Sequence, residues 1–254
     1  MRQCPKCLYE RQLKDASVHP GICPSCGIAY EKWLEKERLK AEPIPEPVPK
    51  LSFREWFLYQ FFFMPSDRHE SAFWGHSLFF VVFVVWGWAF ILHGIDWPFI
   101  SSSFLHNVNL PFHEYGHVMF SPFGELSMYL GGSIFQIMLP CVFLFYFSFF
   151  RRDNFPASLM LWWVGQNFID VSPYIYDAPT RYLPLIGGGG IESHDWWNIL
   201  LMTGQMNLST FYAWLWFGIG AVLIIASQVW GGTLLYIELK GRVRNPPNEI
   251  DEDG

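Results

Sequence analysis

Two groups of metal-ligating residues stand out in this chain of 254 residues. The first is His113-Glu114-Tyr115-Gly116-His117, an HExxH pattern. On a helix, residues i and i+4 stack on one face, so both imidazoles can reach one ion while Glu114, about 100° around, holds a water beside it. Zinc so bound acidifies its water and stabilises developing negative charge, and the glutamate takes up and returns a proton. That is the chemistry of metal-assisted hydrolysis. The second group is Cys4-Pro-Lys-Cys7 and Cys23-Pro-Ser-Cys26, two CxxC knuckles separated by 15 residues. Each presents two thiolates from one tight turn, which fits a structural Cys4 zinc ribbon. Redox exchange would call for a thioredoxin-like βαβ context, and disulfide stapling conflicts with a cytoplasmic location. A ribbon this small buries little, so zinc would supply most of its folding free energy. The fifth cysteine, Cys141, sits in an apolar run and reads as a small packing residue.

The elements that must position the HExxH motif follow from the distribution of charge. The chain is 51% hydrophobic and 19% aromatic with a net charge of −6, which excludes disorder, disulfide scaffolds and nucleic-acid binding through bulk positive charge. Of 17 Lys and Arg, 11 precede Phe73, three lie between Phe73 and Ile237 (Arg151, Arg152, Arg181), and three follow. Phe73 to Leu92 contains no Asp, Glu, Lys or Arg and has the length of a membrane span. Leu126 to Phe150, Pro156 to Tyr176 and Phe211 to Ile237 are similar stretches. Trp74, Trp97, Tyr129, Tyr212 and Tyr236, near the ends, suit interfacial belts. The segment Ser103 to Phe123, which carries the motif, is interrupted by His106, Asn107, Asn109 and Pro111, leaving about ten helical residues, too few to cross. If it enters and returns on one side, 16 of the 17 basic residues face the cytoplasm together with both termini; a fifth crossing would put Arg151, Arg152 and the basic tail outside. The expected fold is therefore an α-helical polytopic membrane protein with four spans, a re-entrant HExxH helix and a small N-terminal ribbon.

The expected domains are a ribbon with its charged helix (1–40), a stiff Pro-rich linker (41–50), an interfacial helix within 51–72, a membrane domain (73–238) and a disordered tail (239–254). No cleavable signal peptide is expected, because the N-terminus is polar and Cys-rich. Lysines and arginines of the helix EKWLEKERLKAE are offset by Glu31, Glu35 and Glu37, so the ribbon reads as a protein-contact or purely structural module, not a nucleic-acid binder.

A third ligand is needed beside His113 and His117. Asp170 and Asp177 are the acids of the stretch Pro156 to Tyr176 and its end, and His194, in GGGGIESHDWW, is a further candidate that Asp195 could orient. Asp170 falls mid-helix, where a carboxylate implies a cation or a buried partner; Asp177 follows Pro173, which would turn the chain elsewhere. Gly187 to Gly190 read as a flexible connector or lid. His106, Asn107, Asn109, Gln136, Gln166 and Asn167 could line a polar cavity or bond between helices.

The HEYGH helix, the Gly-rich span YLGGSIFQIMLP and the Asn/Pro/Asp-bearing span after it resemble the site-2-protease-like intramembrane zinc metallopeptidases over roughly residues 104–178. The resemblance implies one catalytic zinc on His113 and His117, Glu114 as base, and a membrane-embedded peptide as substrate. It makes Asn167 and Pro173 counterparts of the family's Asn and Pro, and Asp177-Ala178 the counterpart of its Asp-Gly. The spacing from Asn167 is longer than in the family, so the motif favours Asp177 while burial favours Asp170, and Asp170 is preferred. The first 35 residues resemble short zinc ribbons of bacterial proteins, which implies a bacterial inner membrane. A non-proteolytic or inactive membrane protein with a structural or transport-related metal site is the alternative; a diiron oxidase would need more clustered histidines than the eight present.

Overall fold

The computed structural model describes residues 3–41, 51–63, 70–184 and 190–244; the Pro-rich linker, most of the glycine loop and the tail from residue 245 lie outside them. Two compact units are formed, Met1–Leu51 and Ser52–Gly254.

In the first unit the two knuckles repeat one design. The Cys4 N–H donates to Tyr9 O (2.9 Å) and Leu8 N–H returns to Cys4 O (3.0 Å); Cys23 and Ile28, and Gly27 and Cys23, do the same at 2.9 Å. Leu8 and Gly27 occupy the same place in each turn and both have positive φ (58° and 72°). Arg11 donates to the carbonyls of Asp15, Val18, His19, Pro20 and Ile22, gathering the loop between the knuckles. Helix α1 (Tyr30–Ala41) follows.

The described residues of the second unit form helices joined by turns and short connectors. Helix α2 (Phe53–Phe61) starts at a capping box: Ser52 Oγ accepts from Glu55 N–H and Glu55 Oε2 accepts from Ser52 N–H. It is followed by α3 (Glu70–His93), α4 (Trp97–Ser101), α5 (Phe104–Phe120), α6 (Glu125–Phe145), α7 (Asn154–Asp177), α8 (Asp195–Met202) and α9 (Ser209–Arg244). Helix α9 runs six residues into the stretch expected to be tail, since nothing in the sequence breaks it before Pro246.

Among the described residues, three segments are long and apolar enough to cross a membrane: Ser71–His93, Glu125–Arg151 and Met206–Gly241. On α3, Trp74, Leu78, Val81, Val85, Trp88 and Leu92 form an exposed apolar stripe at helical spacing, a surface suited to lipid rather than water. Helix α7, expected as a further span, has the length but is the polar centre of the unit, with Gln166, Asn167, Asp170 and Ser172 buried by the helices around it.

Contacts give the helix directions. His76 stacks on Phe155 and Phe83 meets Trp162, so α3 and α7 run parallel. Gly220 packs against Gly165, and Gly231 against Ser158, so α9 runs antiparallel to both. Leu126, Tyr129 and Leu130 at the start of α6 join Val171 and Ile175 near the end of α7, so α6 is antiparallel too. The connector after α3 doubles back: Phe99 of α4 stacks on His93 and meets Phe90. Helix α5 then climbs beside α6 and turns into it through Ser121–Phe123.

Candidate metal centres

Helix α5 is a single helix of 17 residues, not the ten expected. Ser103 caps it by accepting from Leu105 N–H (3.3 Å), and Pro111 is accommodated inside. Polar side chains at 106, 107 and 109 find partners, so they do not break the helix. Asn107 donates back to Ser103 O (3.2 Å), and His106 and Asn109 bond across to α7. At 1.5 Å per residue the helix spans about 25 Å.

Three glycines let α5 and α6 meet closely. A Cβ on Gly116 would lie 2.2 Å from Gly131 O, and one on Gly131 2.6 Å from Gly116 O. A Cβ on Gly132 would lie 2.5 Å from His113 Nε2, so the absent side chain makes the space the imidazole fills. We expect Gly132→Ala to displace His113 and weaken metal binding at this site by about tenfold, the lower end of the effect of disturbing a ligand's support. A competitive chelator titration checks it, and wild-type affinity would contradict this role for Gly132.

His113 and His117 face Asp195, the first residue of α8, from which Asp195 Oδ2 lies 3.0 Å from His113 Nε2 and 3.3 Å from His117 Nε2. Tetrahedral zinc with N and O ligands at about 2.0–2.1 Å sets ligand atoms about 3.3 Å apart. Each imidazole is oriented from behind: His113 Nδ1 donates to Gln136 Oε1 and His117 Nδ1 to Met128 O, both at 2.8 Å. Both Nε2 lone pairs therefore point at a carboxylate oxygen. A proton on one ring would relieve one of these contacts, whereas a single divalent cation meets all three electron pairs. The donor set of two imidazoles and a carboxylate, with oriented outer partners, fits zinc with a position left for water.

Asp195 is held as firmly as the histidines. Its N–H donates to Tyr174 Oη (2.9 Å), whose O–H donates to Asp195 Oδ2 (3.3 Å). His194 caps α8 by accepting from Trp197 N–H at Nδ1 (3.1 Å), and Trp196 Nε1 pins α8 to Ser133 of α6 (3.1 Å).

The three residues expected as third ligand lie outside this group. Asp170 accepts from His106 Nδ1 (3.0 Å) and Asn109 Nδ2 (3.2 Å) and does not join the His113–His117 group. Asp177 closes the turn after α7, accepting from Thr180 Oγ1 (2.6 Å), Tyr182 N–H (3.0 Å) and Leu183 N–H (2.9 Å). His194 is fully buried beside Asp177 (3.5 Å) and supports α8. The places expected of His194 and Asp195 are exchanged: the histidine builds the helix start and the aspartate faces His113 and His117. An acid directly after a helix-capping residue was the signal available in the sequence.

A cavity of about 450 Å³ opens onto this group and is also lined by Glu114, His106, Asn107, Gln136 and Asp170. Gln166 and Asn167, proposed cavity residues, are instead buried within the helix packing: Gln166 accepts from Asn109 Nδ2 (2.9 Å) and Asn167 donates to Trp163 O (2.9 Å). Asn109 is likewise buried and also accepts from Trp163 Nε1 (3.0 Å).

In the ribbon, Cys4 and Cys26 Sγ are 3.7 Å apart, as are those of Cys7 and Cys23. Tetrahedral zinc with Zn–S of about 2.3 Å requires sulfurs about 3.8 Å apart. All four cysteines form one group able to hold an ion. Burial opposes ionisation of Cys23, but the N–H groups of Cys26 and Ser25 hold its thiol down to about 6. The Ile28 N–H favours the Cys26 thiolate, yet burial and the neighbouring sulfurs push that thiol up to about 12. Because the Cys23 thiol is held low, zinc binding at neutral pH should release fewer than four protons. Calorimetry in buffers of different ionisation enthalpy measures the number, and a release of four would contradict it.

No protein-family model, curated protein or solved structure matches the chain.

Proposed function

We propose that the protein is a membrane-embedded zinc-dependent peptidase of the site-2-protease type, acting on membrane-embedded peptides. The observation that carries this reading is the convergence of His113, His117 and Asp195 in one cavity with Glu114, within a bundle whose outer faces are apolar. A divalent cation held by these three residues would acidify water and polarise a carbonyl. Gln136 and the Met128 carbonyl hold the imidazoles in the tautomer that presents Nε2. Asp195 contributes one negative charge, and Tyr174 fixes its carboxylate. Glu114 takes the proton of the attacking water and passes it to the leaving amine.

In this reading α3, α6, α7 and α9 are four alternating spans, with α7 tolerated through enclosure by its neighbours. Their directions require α5 to begin and end without crossing, which supports a re-entrant element lining a cavity. The basic residues put both termini on the cytoplasmic side of a bacterial inner membrane. The ribbon is a structural or protein-contact module on that side.

Metal removal tests the proposal. A membrane-permeable chelator should abolish cleavage of transmembrane peptides by protein reconstituted in vesicles, and zinc should restore it. Cys4→Ser, which removes only the ribbon's metal, should leave cleavage in place. Bound metal without cleavage of any transmembrane peptide would favour a structural or transport role.

A further inference from the structure

The cavity has a second built end. His106 lies seven residues before His113 on the same face of α5, about 10 Å along the helix. Its Nδ1 bonds to Asp170 Oδ1 at 3.0 Å, and the other oxygen of Asp170 is held by Asn109 (3.2 Å). Asp170 is nearly enclosed, with 4% of its side chain exposed, whereas His106 and Trp97, whose rings meet edge to face at 5.2 Å, line the cavity. A carboxylate accepts, so the Nδ1 proton is directed at Asp170, and in the neutral ring that tautomer presents Nε2 as an acceptor. The pairing is that of an oriented base, yet its distance along α5 from the metal-ligating histidines is too great for direct proton transfer there. A binding role fits instead. Among the residues lining the cavity, Glu114, Asp170 and Asp195 are acidic and none is Lys or Arg. With the charge of Asp195 met by a cation, the far end keeps the field of Asp170 in a low-dielectric setting, beside an acceptor nitrogen and an indole, the surroundings that suit an organic cation.

We propose that His106, Asp170 and Trp97 form a subsite for an ammonium group of the substrate, placed about three residues from the bond held at the metal centre. An extended peptide advances about 3.3 Å per residue, so three residues cover the 10 Å. The inference rests on the peptidase reading above, and it assigns to Asp170 a role in substrate choice in place of metal ligation. A lysine side chain and a free N-terminus both supply an ammonium; the chemistry is shared.

Peptide hydroxamates test it on the zinc-loaded, full-length protein in detergent, with binding followed by calorimetry. The hydroxamate anchors at the metal, and arms of one to five residues extend to either side of it. Each arm carries a lysine, an acetyl-lysine, or a free or acetylated N-terminus, so the two sources are separated. An arm that sets its ammonium about three residues away should bind about tenfold more tightly than its acetylated twin, the effect of a charged hydrogen bond. Asp170→Asn and His106→Gln should erase that difference while a one-residue hydroxamate binds them as it binds wild type. Equal affinity of charged and acetylated arms at every length in the wild-type protein would overturn the subsite without any variant having to fold. So would a preference that survives both substitutions. Failure of every hydroxamate to bind would instead sink the metal-centre reading, and the subsite with it.

Discussion

Replacing Glu114 by Gln should lower peptide hydrolysis by about 10²–10⁴-fold with both metal sites still filled. The substitution preserves shape and hydrogen bonding but removes the group that accepts a proton. Glu114 is not one of the three converging residues and lies exposed on the wall of the cavity, so stability should change little. The measurement is a paired one: metal content by elemental analysis and cleavage rate of a transmembrane peptide in the same vesicles. Unchanged cleavage with metal bound would remove Glu114 from the mechanism, and loss of metal would mean that it acts as a ligand.

Asp195→Ala should take bound zinc from about two equivalents per chain to about one, because the described residues hold two candidate sites and this change dismantles one of them. Two neutral imidazoles would then face the ion without an anionic partner, and the Tyr174 hydroxyl would lose its acceptor. Asp170→Asn and Asp177→Asn should each keep both equivalents, since these acids are engaged by His106 and by the turn after α7. The comparison separates the three aspartates directly. Retention of two equivalents in Asp195→Ala, or loss in Asp170→Asn, would return the third-ligand role to Asp170.

Much of this architecture was legible from residue order. The knuckles, the HExxH pair and the apolar stretches are local patterns: ligand spacing within a turn, i and i+4 on a helix, and runs of side chains without charge. Each depends on residues close in sequence, so each can be read without knowing what packs where. The expected interruption of α5 failed for a related reason. His106 and Asn109 look like helix breakers at membrane depth when taken alone, and become ordinary helix residues once Asp170, Gln166 and Trp163 receive them. The cost argument for Asp170 was sound in requiring a buried partner, but the partner is a histidine two turns ahead of the motif.

Residue order by itself determined which chemistry is available to this protein: two places where metal-ligating groups cluster, a glutamate beside one of them, and a low-charge body in which such groups are costly. Tertiary structure alone decided how that chemistry is assembled. The carboxylate that meets His113 and His117 comes from α8, delivered by a histidine cap, a tyrosine and a tryptophan anchored on α6, and the close glycine contact of α5 with α6 makes room for His113. Distant segments meet through packing and hydrogen bonds that no local spacing encodes, and so Asp195 and Asp170 could be told apart only after folding had given each of them its neighbours.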